Sequence, residues 1–149
     1  MISILEYREM ILELKERVNA VSETKIDGVA IAVSEKHLVK KLKDSDGLIL
    51  CSNYPDSTST GDKDNYSEQN TMLLFLLKKV PSGQETDEDE LLHYASIQRV
   101  MQLLKIQLRE MDFACGDISG AESITTEWEY DVFGGWNGLS IGLKLNDYD

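Results

Sequence analysis

The chain has 149 residues, with 27 acidic against 15 basic side chains and a formal net charge of -12. That length fits one domain over residues 1–149, and 42% hydrophobic with 28% charged residues is the composition of a globular fold. The acid excess counts against a protein that grips phosphate backbones sequence-specifically or clings to anionic membranes, since both need clustered Lys and Arg.

The first predicted element is a helix. Ile4, Tyr7, Ile11, Leu14, Val18 and Val21 recur at steps of three and four, which gathers them on one stripe. Ser22-Glu23-Thr24 ends the pattern. Val29 to Val33 is short, β-rich and unbroken, so it reads as a buried strand. Ser34 can cap a short helix through Lys43, with Leu38 and Leu42 as its apolar ridge. Asp44-Ser45-Asp46-Gly47 is a stop and turn, and Leu48–Cys51 a second strand ending near Tyr54-Pro55.

Residues Asp56–Asn70 are nearly all polar. Such a stretch buries too little apolar surface to offset its ordering entropy, so a long flexible loop is expected at 56–70. Thr71–Lys79 is a third strand, paired with the second across that loop. A long second helix opens at Thr86, where Thr86 and Asp89 resemble a capping box. Its stripe is Tyr94, Ile97, Met101, Leu104, Leu108 and Met111. After a connection from Phe113 to Ala121, Ile124–Leu145 alternates apolar and polar residues around Phe133-Gly134-Gly135-Trp136-Asn137-Gly138. Period two makes this an antiparallel pair with one dry and one wet face, and Asn137-Gly138 signals a type I′ turn. The fold class is therefore α+β: a mostly antiparallel sheet of about five strands, covered by two long helices, plus one short helix.

No segment supplies a reaction. Asp62-Lys63-Asp64-Asn65-Tyr66 starts like a calcium loop but has Tyr66 and Ser67 where the template continues with a ligand and a glycine. Glu85–Glu90 reads as helix capping. His37 and His93 lack partners at metal-motif spacings, and no nucleophile elbow, phosphate loop or dinucleotide fingerprint occurs. No cofactor and no metal are expected. Cys51 and Cys115 suggest a reducing compartment, though the two could pair. Met1–Glu9 lacks the pattern of a signal peptide, and the apolar run Met72–Leu77 is far too short for a membrane span, which points to a cytoplasmic address. Trp136 at the hairpin tip has two readings of equal weight: a plug for the core, or an anchor for a partner.

Taken together, Leu48–Pro55, the acidic loop, Thr71–Lys79, the Thr86–Met111 helix and Trp128–Leu145 resemble the small tail-completion or tail-terminator proteins of tailed bacteriophages. The Gly135-Trp136-Asn137-Gly138 hairpin is similar to that of proteins from prophage-like elements. The likeness implies a non-enzymatic structural protein in a bacterial host cell or virion. It would form a homo-oligomeric ring, hexameric by that likeness, against tail or neck proteins. An acidic lumen would repel DNA phosphates and let the genome slide. Trp136, together with Tyr66, Asp62 and Asp64 in the loop, are the candidate partner contacts. The alternative is an acidic inhibitor or immunity-type protein docking on a basic partner; an enzyme comes third.

Overall fold

The computed structural model describes residues 1–64, 66–80, 85–111, 117–119 and 124–147. Within them the fold is α+β. Helices α1 (Ile4–Val21), α2 (Glu35–Leu42) and α3 (Asp87–Glu110) pack on a mixed sheet. Its strands are β1 (Gly28–Ala32), β2 (Leu48–Asn53), β3 (Asp56–Gly61), β4 (Tyr66–Lys79), β5 (Asp117–Ser119), β6 (Thr125–Val132) and β7 (Trp136–Asp147). The sheet thus has seven strands where about five are expected from the sequence. The extra ones are β3 and the short β5, neither of which carries an apolar run.

Helix starts follow their capping residues. The side chains of Ser3, Ser34 and Thr86 accept from the backbone N–H groups of Glu6, His37 and Asp89. Each satisfies one donor that the first helical turn leaves open. After α1, Lys25 Nζ donates to the Asn19 and Ser22 carbonyls, supplying the cation that the last turn of the helix lacks.

The two longest strands, β4 and β7, pair along their lengths and form the spine. Around them the sheet forks. At one level the order is β1-β2-β4-β7-β6, and at the other β3 flanks β4 and β5 flanks β7. The fork is closed by Asn53, the last residue of β2, whose Oδ1 accepts from Leu73 N at 2.9 Å between the β2–β4 and β3–β4 ladders. Only the β1–β2 ladder is parallel, with α2 as its crossover.

The core has two compartments because the sheet is covered on both faces. On one face Tyr7, Met10, Ile11, Leu14 and Val18 of α1, with Ile97, Val100, Met101, Leu104 and Leu108 of α3, pack on Leu48, Leu50, Met72, Leu74, Leu76, Leu139, Ile141, Leu143 and Leu145. Tyr7 Oη and Ser52 Oγ share a buried hydrogen bond that ties α1 to β2. On the opposite face Leu38 and Leu42 of α2 pack with Ala30, Ala32, Ile49, Cys51, Leu77 and Trp136. The periodic stripes hold with shifts in both long helices: α1 buries Met10 while Ile4 and Val21 at its ends are exposed, and α3 buries Val100 while Tyr94 is half-buried.

Three sequence-based expectations are corrected. The segment read as a flexible loop, 56–70, is largely a hairpin: β3 pairs with β4 from Asp56↔Thr71 to Gly61↔Tyr66. Its stability comes from ladder bonds and cross-strand polar pairs, such as Ser59 Oγ donating to Glu68 Oε1 at 3.1 Å, and needs no apolar face. Second, the terminal turn is Phe133-Gly134-Gly135, with Asn137 and Gly138 already inside β7. Positive φ at Phe133, Gly134 and Gly135 makes the reversal there. Third, a bulge between Glu129 and Val132 breaks the alternation of β6. Asp131 takes a φ of 51°, and Asn137 Oδ1 accepts from its N–H at 2.6 Å. The extra residue turns Val132 over to the α2 face.

Candidate functional site: the two edges of the sheet

The outermost strands of the five-strand level are β1 and β6, and among the described residues each has a strand neighbour on one side only. Unpaired strand edges are templates for another chain, so their furnishing decides what they admit.

The β1 edge is the floor of a cleft of about 530 Å³. Ile4, Leu5, Arg8, Leu12 and Lys15 of α1 wall it on one side, and Lys41 and Ser45 at the end of α2 line the other. Ile4 and Leu5 are exposed, Leu5 at 74%, which is unusual for a leucine on a helix otherwise packed on its core. The charged lining is all cationic. Among the described residues Arg8 and Lys15 pair with their sequence neighbours Glu9 (3.8 Å) and Glu16 (3.6 Å), in exposed pairs of little energetic weight. Lys41 Nζ donates to the Ile31 carbonyl and so guards the strand edge.

The β6 edge has the opposite furnishing. Trp128 is 59% and Tyr130 70% exposed. Trp128 stands edge-on to Tyr94 of α3 with ring centroids 5.7 Å apart. Tyr94 Oη donates to the Glu129 carbonyl at 2.8 Å, and Lys105 Nζ donates to Thr126 Oγ1 at 3.0 Å. These contacts place Thr126 and Trp128 on the face that α1 and α3 cover. Glu127 and Glu129 lie on the α2 face, where Ser140 Oγ donates to Glu129 Oε1 at 2.7 Å. The Tyr94 hydroxyl is held above the ordinary tyrosine range, chiefly by burial and then by Glu90, Tyr130, Glu85 and Glu129.

The residues singled out from sequence are dispersed. Trp136 is 1% exposed among Leu77, Cys51 and the α2 leucines, so the partner-anchor reading is corrected: it is core. Asp62 and Asp64 are exposed at the β3–β4 turn, where Asp62 Oδ1 accepts from Asp64 N at 3.0 Å. Tyr66 opens β4 opposite Gly61, and its side chain lies outside the described residues, as does Cys115. Cys51 is buried, and burial pushes its thiol up to about 12, far from a nucleophile at neutral pH. His37 Nδ1 accepts from Val33 N at 3.1 Å. His93 Nδ1 meets Glu85 Oε1 at 2.6 Å, beside a space of about 10 Å³, room for no more than one water. Among the described residues no three His, Cys, Asp or Glu side chains converge as metal ligands, and no helix is long and apolar enough to cross a membrane.

Sequence reading missed the residues that furnish the edges. Ile4 and Trp128 sit on apolar stripes, which assigns both to the core; only the packing shows that α1 overhangs β1 and that α3 leaves β6 half bare.

No family model matches the chain, and no curated protein is similar enough to match it.

Proposed function

We propose that this chain is a non-enzymatic structural protein of a phage or prophage-like element. It assembles with copies of itself into a ring at the tail end or neck, in the bacterial cytoplasm or in the virion. The observation that carries this reading is the pair of edges on one sheet that lack a strand neighbour among the described residues: an apolar, cationic cleft at β1 and an acidic, aromatic strand at β6. Surfaces that differ and stand on opposite sides of a protomer associate head to tail, and head-to-tail contacts generate rings when the rotation closes. Exposed Trp and Tyr are the residue types that carry association energy at interfaces. The resemblance of the element order to tail-completion proteins supplies the setting.

Light scattering across protein concentration tests the reading. A species several times the protomer mass that grows in with concentration supports it, and a monomer at every concentration contradicts it.

The acidic-inhibitor reading keeps one specific support. Asp87, Glu88 and Asp89 are exposed beside exposed Leu91 and Leu92 at the start of α3, a surface suited to a basic partner protein. It predicts a monomer that binds a cationic protein with strong salt sensitivity.

A further inference from the structure

Resting on that reading of self-assembly, we propose its interface: β6 of one copy adds along β1 of the next, filling the α1–α2 cleft and continuing the sheet from protomer to protomer.

β1 and β2 run parallel, β2 and β4 antiparallel, β4 and β7 antiparallel, and β7 and β6 antiparallel. β1 and β6 therefore run in opposite directions across one protomer. When a second copy follows in the same orientation, its β1 meets the first copy's β6 as an antiparallel neighbour. Only Thr125–Glu129 of β6 is regular before the bulge, and this stretch matches the five residues of β1.

Faces are conserved in such a junction, and the side chains match face by face. Trp128 is on the α1/α3 face of its own sheet, so it arrives at the α1 wall, where Ile4, Leu5 and Leu12 are apolar and Arg8 and Lys15 supply cations that an indole face attracts. Glu127 and Glu129 are on the α2 face and arrive beside Lys41. A two-fold β6–β6 contact would instead set acids against acids, which destabilises a strand pair. A two-fold β1–β1 contact would gather Arg8, Lys15 and Lys41 of two copies. The net charge of -12 does not forbid the junction: at physiological salt the Debye length is about 8 Å, so distant acids are screened while contacts across the cleft are not. Lys41 leaves the Ile31 carbonyl when the incoming strand supplies an N–H there, which frees its ammonium for the arriving carboxylate.

Charge exchange tests this junction on the full chain. Lys41→Glu and Glu127→Lys each set like charges against each other in every junction, so each variant alone should associate roughly tenfold or more weakly than the unaltered chain. Mixed in equal amounts they should recover the assembly, because both junctions between unlike variants pair opposite charges. Trp128→Ala, at an exposed position, should weaken association by a similar factor with only a small change in the melting curve. If the unaltered chain assembles but none of these variants changes it, or the mixture fails to recover it, the β6–β1 junction is wrong and self-assembly stands. A strictly monomeric unaltered chain overturns both.

Discussion

The two tryptophans have opposite fates, set by which side of the β6 bulge each lies on. Trp136 begins β7 on the α2 face and fills the smaller core; Trp128 sits before the bulge on the other face, 59% exposed and edge-on to Tyr94. Trp136→Ala should therefore lower the unfolding free energy by about 3–5 kcal/mol, whereas Trp128→Ala should lower it by about 1 kcal/mol or less, both read from denaturant melts. Cys51 gives a test in pH. Its folded pKa is raised to about 12 from an ordinary 9.0, so the unfolded chain loses this proton first as pH rises. Its contribution to stability is fully present below pH 9.0 and declines above it, by about 1.4 kcal/mol per pH unit up to about 12. A Cys51→Ala variant should lack that part of the alkaline slope, although its absolute stability is lower. In a Cys115→Ser background, the Cys51 thiol should react with a thiol reagent at pH 8 only as fast as the protein opens.

At the scale of elements, the β4–β7 ladder shows what composition conveys and what it hides. Gly138 lies in β7 opposite Leu77, and a Cβ there would collide with the backbone carbonyl oxygen of Leu76. Gly138→Ala should cost about 3 kcal/mol or more, because a backbone atom cannot move aside as a side chain can. Gly142→Ala, whose Cβ would meet Leu73 Cδ2 at an ordinary 3.5 Å, should be nearly neutral in the same melts. The helices were legible because caps and apolar periodicity act within a few residues: Ser34, Thr86 and the α3 stripe stand where the sequence places them. β3 was not legible, since its partner strand supplies its order and its own Ser and Thr residues match those of a loop. Amide exchange distinguishes the two readings. Residues 68–71 of β4, paired with both β3 and β7, should be strongly protected, where a flexible loop over 56–70 would exchange within seconds. The terminal turn was displaced for a related reason. Asn137 is committed to the Asp131 N–H, a contact that exists only once the bulge has formed.

For the molecule as a whole, charge and edges decide the functional reading. On the proposed self-assembly, 27 acids against 15 bases keep most surfaces of two copies apart, so the contact would form where bases gather. The β1 cleft is such a place among the described residues, and the strand proposed to fill it is β6 of another copy, a strand that lies four strand steps away across the sheet in each protomer. Nothing local announces either edge: Lys41 belongs to an ordinary basic helix end, and Leu5 is one apolar residue beside a stripe. They become one site only when α1, α2 and β1 meet, which is why sequence reading sought the contacts at Trp136 and the acidic turn. The claim of head-to-tail closure is tested most directly by native mass spectrometry of the concentrated protein. A single closed copy number, with no ladder of longer species beyond it and with loss to protomers in the Lys41→Glu variant, is the predicted result. Protomers alone at every concentration would contradict it.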